Sequence, residues 1–351
     1  MPKYFRHNIV AMTGYVPGEQ PGNDGIVKLN TNENPYGPSP KVYATLKRAL
    51  NSSLRLYPEP QSDTLRTAAA RLYGVKPGNI IVGNGSDEIL SMLLRCFVGP
   101  GDRVAYPVPT YSLYDTLVEI QDGSKAAVNY PANFSLPAEL AEQNAALTFV
   151  CNPNAPSGTL AVLPAVEKLA RGVSGILAVD EAYVDFAATE GASAIPLIRQ
   201  LPNLVVLRTF SKSFSLAGMR IGLAFAAEEI IAGMMKVKDS YNVNRLSLLA
   251  ATAALEDLPW MTRNVQRIQR SRKKLTGGLK RLGYQVYPSQ ANFVLARKDG
   301  ENMKSIYEEL KRRKIFVRYF DFPGLQDCLR ITVGTPSEIN ILLKEMAILT
   351  Q

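Results

Sequence analysis

The chain has 351 residues, 46% of them apolar and 20% charged, with a formal charge of +9. That length carries one large and one small domain around a sizeable core, and no signal-like or transmembrane-like apolar span is present, so no membrane segment is expected. A single histidine, His7, leaves almost no room for Ser-His-Asp chemistry or multi-histidine metal sites, while three scattered cysteines (Cys96, Cys151, Cys328) without a CxxC pair argue for a reducing, cytoplasmic setting.

In chain order, residues 1–40 are rich in Pro, Gly and Asn ("GYVPGEQPGNDG", "NTNENPYGPSP"), too irregular for a core, and predict an arm lying across a site. From 41 to 245 short apolar runs alternate with helical patterns. "NIIVG" leads into "SDEILSMLLRCF" and "DRVAYP" into "TYSLYDTLVEI"; "LTFVCN", "GILAVD", "NLVVLRTF" and "IGLAFA" follow. This rhythm predicts an α/β domain on a mainly parallel sheet. Residues 246–351 change character: a long basic helix, strands at "ANFVLAR", "IFVRYF" and "LRITVG", and a closing helix from Pro336 predict a smaller α+β domain.

The charge is local. Residues 258–298 hold ten Lys and Arg and no Asp or Glu, so the rest of the chain sums to −1. Without interleaved aromatics or a recognisable nucleic-acid motif, a solvated helix face explains this better than a nucleic-acid-binding module does.

In open α/β sheets, ligands sit beyond the carboxyl ends of the strands. "NGSDE", "PVPTYSLY", "NPNAPSG", "DEAY" and "SKS" all fall there, which suggests one shared pocket. "NGSDE" places Ser86 and Asp87 in the first turn of a helix, either a plain cap or an anion site built on free backbone N–H groups. Neither a P-loop nor a GxGxxG turn is present. Lys212 lies between two hydroxyls with Arg220 close behind. A lysine buried near other cations has its ammonium form disfavoured, and its free amine condenses readily with an aldehyde. Ser211 and Arg220 would suit a phosphate. Asp180, ending an apolar strand, needs a partner: a protonated ring nitrogen or a metal, and no set of further metal ligands is visible. Tyr183 offers a phenol to a neighbouring oxygen, and Tyr111 a ring for stacking. Together these parts describe a pyridoxal 5′-phosphate site.

The same motifs make the chain resemble the fold-type I pyridoxal-phosphate aminotransferases, most closely the histidinol-phosphate aminotransferase family. The likeness runs from "LNTNENPYGPSP" through "YPEP", "NGSDE", "NPNAPSG", "DEAY" and "SKSFSLAGMRIG" to "ANFVL" and "LRITVGT". It implies that Lys212 carries the imine, that Asp180 pairs with the pyridine nitrogen, that Tyr183 bonds the cofactor's 3′ oxygen and that Tyr111 stacks on its ring. Ser86, Asp87, Ser211 and Arg220 would hold the phosphate, joined by Tyr57 from the other subunit of a homodimer with shared sites. Arg330 would grip the carboxylate of the amino donor and Arg318 the substrate phosphate. Tyr15 and the loop around Asn32 and Asn34 would close over substrate. Family members often read "NPNNPTG"; here Ala155 takes the place of the asparagine that bonds the 3′ oxygen, and Asn154 or Asn152 is expected to replace it. The implied reaction is transamination between L-histidinol phosphate and 2-oxoglutarate. An aromatic or broad-specificity aminotransferase and a threonine-phosphate decarboxylase are the alternatives on the same scaffold.

Overall fold

The alternation of aliphatic runs with amphipathic helices resolves into three sheets in the computed structural model, which describes residues 4–22 and 25–350. Asn23 and Asp24, within the first Gly- and Pro-rich stretch, lie outside the described residues. The strands are β1 (Val27–Lys28), β2 (Ile80–Gly83), β3 (Arg103–Val108), β4 (Ser124–Asn129), β5 (Leu147–Cys151), β6 (Ile176–Asp180) and β7 (Leu204–Thr209). They continue with β8 (Gly222–Phe225), β9 (Gln285–Val286), β10 (Phe293–Arg297), β11 (Ile315–Phe316), β12 (Arg318–Tyr319) and β13 (Cys328–Thr332).

The large sheet runs β2-β8-β7-β6-β5-β3-β4. Its pairs are parallel except those of β8, which is antiparallel to both neighbours. Both faces are covered. Leu177 and Val179 of β6 join one apolar cluster, packed by the helices Pro40–Ala49, Asp63–Tyr73, Leu163–Gly172 and Arg245–Leu255; Ala178, between them, joins the other, packed by Ser86–Phe97, Leu113–Gln121 and Glu228–Val237. Two buried faces explain why these strands read as continuous apolar runs rather than alternating ones. The edge strand β4 was not legible, because "SKAAVN" is mostly exposed and places only Ala126 and Val128 against the core.

A smaller antiparallel sheet, β12-β13-β10-β9, packs with the helices Leu258–Arg281, Lys304–Arg312 and Pro336–Leu349 in a separate apolar cluster. Leu29 and Phe186 also enter that cluster, and β1 pairs in parallel with β11. The segment after residue 25 is thus more ordered than its composition suggested: Leu29, Asn30 and Asn32 are all buried.

The basic run forms one helix, Leu258–Arg281, and not all of it is a solvated face. Arg272 is buried and donates to the carbonyls of Phe186 (3.1 Å) and Ala291 (2.6 Å), while Arg267 lies over the Tyr36 ring at 3.5 Å. Among the described residues, no helix is long and apolar enough to cross a membrane, and no group of three or more His, Cys, Asp and Glu could hold a metal ion.

Candidate active site

The parallel strands β5, β6 and β7 deliver their carboxyl ends to one side, where a cleft of about 560 Å³ opens. Thirteen expected site residues line it or abut it as follows. Ser86, Asp87, Tyr111, Asp180, Tyr183, Ser211, Lys212, Arg220, Arg318, Arg330, Tyr15 and Asn32 line the wall; Asn34 stands behind it, donating to the carbonyls of Lys212 (3.1 Å) and Ser213 (3.2 Å).

Lys212 follows the end of β7. Its Nζ donates to the Thr31 carbonyl at 3.2 Å and lies 5.7 Å from the centre of the Tyr183 ring. Burial, reinforced by the nearby Arg330, lowers its pKa to about 8. The amine is therefore partly free near neutrality, which is the condition for condensing with an aldehyde. Asp180 closes β6 opposite Cys151 of β5 and is buried. Its oxygens accept from Ala182 N (3.1 Å) and from Tyr114 Oη (3.3 Å), and burial raises its pKa to about 6. Among the described residues no cationic side chain forms a salt bridge with it. A desolvated carboxylate in that state calls for a cation from outside the protein.

The helix Ser86–Phe97 begins beside the antiparallel strand β8, and glycine makes that approach possible. A Cβ on Gly222 would sit 2.5 Å from Ser86 N, and one on Gly85 would sit 2.5 Å from the guanidinium of Arg220. Arg220 has a φ of +51°, pairs with Asp87 at 2.9 Å and reaches Ser211 Oγ at 3.4 Å. Free N–H groups, two hydroxyls and a guanidinium thus converge where an anion would be held.

Tyr111 meets Tyr15 and Tyr114 edge-on, at 6.2 and 5.7 Å, leaving its ring at the cleft wall. Tyr183 Oη accepts from Asn32 Nδ2 at 3.1 Å, and burial pushes its pKa above the usual phenol value. Asn32 itself, at φ +58°, is locked to the small sheet through Thr332 Oγ1 (3.0 Å) and Asn292 Nδ2 (2.9 Å). Arg330 donates one N–H to the Asn30 carbonyl at 2.9 Å, while its buried Nε has no partner among the described residues. Its guanidinium carbon lies 5.4 Å from the centre of the Phe293 ring and 5.5 Å from that of Phe320, and that of Arg318 lies 5.6 Å from the Phe320 ring.

Three expected residues stand apart. Asn154 does not line the cleft: its carbonyl oxygen accepts from Thr110 Oγ1 (2.9 Å), and its amide donates to Pro109 O (3.2 Å) and Ser157 Oγ (3.0 Å). Asn152 is likewise committed to Ala161. Both asparagines fold the loop, and the residues that reach the cleft from it are Ala155 and Pro156. Tyr57 lies outside the cleft of its own chain, 75% exposed and stacked on Tyr241. Sequence reasoning missed Tyr114, Thr31 and Phe320. Tyr114 was the findable one, since it lies three residues after Tyr111, in the first turn of the helix Leu113–Gln121, and reaches Asp180 at the end of β6.

The profile of the family described as aminotransferase class I and II matches residues 24–346. Histidinol-phosphate aminotransferase 1 of Trichormus variabilis is 44% identical over 348 residues, covering 99% of both chains. The crystal structure of histidinol-phosphate aminotransferase from Sinorhizobium meliloti in complex with pyridoxal-5′-phosphate superposes with a TM-score of 0.91 at 26% identity, over 99% of this chain and 98% of that one. L-threonine-O-3-phosphate decarboxylase from Porphyromonas gingivalis gives a TM-score of 0.81 at 25% identity, over 92% and 98%. The fold is that of the fold-type I pyridoxal-phosphate-dependent transferases, and the chain belongs to the class I and II aminotransferases.

Proposed function

We propose that this chain is a pyridoxal-phosphate-dependent histidinol-phosphate aminotransferase, moving the amino group of L-histidinol phosphate to 2-oxoglutarate to give imidazole acetol phosphate and L-glutamate. The observation that carries the reading is the single cleft that joins Lys212, Asp180 and the Ser86–Ser211–Arg220 anion cradle to Arg318 and Arg330. The full-length likeness to histidinol-phosphate aminotransferases points the same way.

The residues present fit the cofactor. Asp180 is a buried carboxylate with no salt-bridge partner among the described residues, as a pyridinium nitrogen requires, and the cradle has room because residues 85 and 222 are glycines. Ser86, Ser211, Arg220 and the helix end would hold its phosphate, Tyr111 its ring face, Tyr183 its phenolic oxygen and Lys212 its aldehyde. When bound, the cofactor supplies an aldehyde carbon that condenses with amines and a ring that accepts the electrons left when the donor loses its α-proton.

The protein's own part is binding and proton movement. Lys212 would take the donor's α-proton on Nζ and return it one carbon away, and its lowered pKa suits both the uptake and the release. Asp180 stays charged against the ring nitrogen, and Asn32 holds the Tyr183 phenol in place. Histidinol phosphate has no carboxylate, whereas glutamate has two. Arg330 and Arg318 must therefore take the phosphate in one half-reaction and a carboxylate in the other. Because one cleft serves both, double-displacement kinetics are expected.

A homodimer with shared sites, Tyr57 of each copy reaching the other's phosphate cradle, belongs to the same proposal; its support is the exposure of Leu50, Leu54, Leu56 and Tyr57 on one short stretch. The three cysteines are free, which suits a cytoplasmic enzyme.

The test is a parallel assay with histidinol phosphate, phenylalanine, tyrosine and O-phosphothreonine. Histidinol phosphate should lead in kcat/KM by about tenfold or more. Preferential turnover of an aromatic donor, or carbon dioxide release from O-phosphothreonine, would replace the reading with one of its neighbours. Lys212→Ala should lower turnover by at least about 10⁴-fold and remove the near-visible absorbance of the lysine-bound cofactor.

A further inference from the structure

Asp180 on β6 and Lys212 beyond β7 carry the chemistry, and a second set of polar side chains ties those two strand ends together behind the cleft. Arg208, 6% exposed, lies four residues before Lys212. One of its nitrogens contacts Asp185 Oδ1, another lies 3.6 Å from Glu181 Oε2, and the guanidinium stands over the Tyr73 ring. The other Asp185 oxygen accepts from Ser213 Oγ at 2.5 Å, and Ser213 is the residue next to Lys212. Glu181, fully buried, accepts from Ser193 Oγ (2.6 Å) and Ala194 N (2.5 Å). None of these groups lines the cleft.

The segment they hold needs holding. Regular structure ends at Thr209, Ser215 has a φ of +61°, and the Lys212 carbonyl receives only a 3.3 Å contact from Ser215 N in the backbone. Asn34 covers the carbonyls of Lys212 and Ser213 from the arm side, and Asp185 fixes the Ser213 hydroxyl from the sheet side. A buried charged cluster is a poor device for stability alone, since well-packed apolar residues do as well. It is a good device for fixing distances. Misplacement of a reacting group by about 1 Å costs on the order of 10²-fold in rate.

We propose that Ser213, Asp185 and Arg208, with Asn34 opposite, are positioning residues that lock the Lys212 backbone to the segment that follows β6, so that Nζ alone moves as the proton passes between neighbouring carbons. This rests on the reading of Lys212 as the proton carrier.

The experiment uses the cofactor-loaded enzyme and L-glutamate as amino donor, following a single half-reaction per loaded site so that unfolded protein does not count. Ser213→Ala should slow the half-reaction by about tenfold or more, with the apparent Kd for glutamate changed by less than about twofold and a larger primary isotope effect with α-deuterated glutamate. Asp185→Asn, which keeps an acceptor for Ser213 Oγ but releases Arg208, should fall between Ser213→Ala and the parent. A Ser213→Ala enzyme with the parent's rate and isotope effect, or one whose loss lies wholly in glutamate binding, overturns the proposal. Lys212→Ala, run alongside, separates the two claims: if it retains the half-reaction, the underlying reading is at fault and not the strut.

Discussion

A lysine with a pKa near 8 in the folded chain and about 10.5 when unfolded weakens the protein that carries it. The folded state binds fewer protons between those values, so the apoprotein should gain stability as pH rises from about 8 to about 10.5; the destabilisation is fully present below 8 and gone above 10.5. Because the side chain opens on a solvated cleft, the effect is discounted to on the order of 1–2 kcal/mol. Lys212→Met should therefore unfold at higher denaturant than the parent apoprotein at pH 7, with the advantage shrinking towards pH 10.5. Equal midpoints at both pH values would show that the amine is not strained. At this scale the sequence was informative wherever a charged residue lay at or just beyond the end of an apolar strand, as Asp180 closes β6 and Lys212 follows β7 by three residues. It was uninformative where two polar groups satisfy each other across the fold. Tyr114 read as a helix residue and bonds Asp180, while Asn154, expected to meet the cofactor, here bonds Thr110 and Pro109 beyond β3 and Ser157 of its own loop.

Elements position these residues through close backbone approach, and β8 is the case most sensitive to a single atom. It runs antiparallel between β2 and β7, and brings Gly222 against the first turn of the helix Ser86–Phe97. A Cβ there would stand 2.5 Å from Ser86 N and 2.6 Å from the Gly85 carbonyl carbon, both backbone atoms that cannot swing aside. Gly222→Ala should widen the anion cradle, raising the cofactor Kd by about tenfold or more, a loss of roughly 1.4 kcal/mol. Equilibrium dialysis of the apoprotein with pyridoxal 5′-phosphate measures it. Gly14→Ala, which meets nothing within 4 Å, serves as the control and should leave that Kd unchanged. The antiparallel direction of β8 was not legible in "IGLAFA", because an apolar run buried on both faces carries no sign of its direction. The arm does line the cleft, with Tyr15, Thr31 and Asn32 in its wall, but its order was not legible. Its asparagines looked like loop residues, yet Asn30 and Asn32 are buried, and backbone and side-chain bonds tie them into the small sheet and the cleft.

At the scale of the whole molecule, one chain's cleft holds every residue proposed to touch cofactor or substrate except Tyr57, which lies outside it beside Tyr241. Its neighbours Leu50, Leu54 and Leu56 are each half exposed or more, a run of apolar surface that a second copy would cover. If two copies pair about a two-fold axis, whatever Tyr57 gives to its partner it also receives. That symmetry makes a sharp prediction for mixed dimers of Lys212→Ala and Tyr57→Ala chains, purified through two different tags. Each variant alone should be inactive at cofactor concentrations too low to fill a cradle lacking Tyr57. In the mixed dimer, one site receives Lys212 from one chain and Tyr57 from the other, while the second site lacks both. Activity should return to about half that of the parent dimer, as one intact site of two requires. Were Tyr57 to serve its own chain's cradle, every site in the mixed dimer would lack one of the two groups. Mixing would then restore nothing, and the shared site would have to be abandoned.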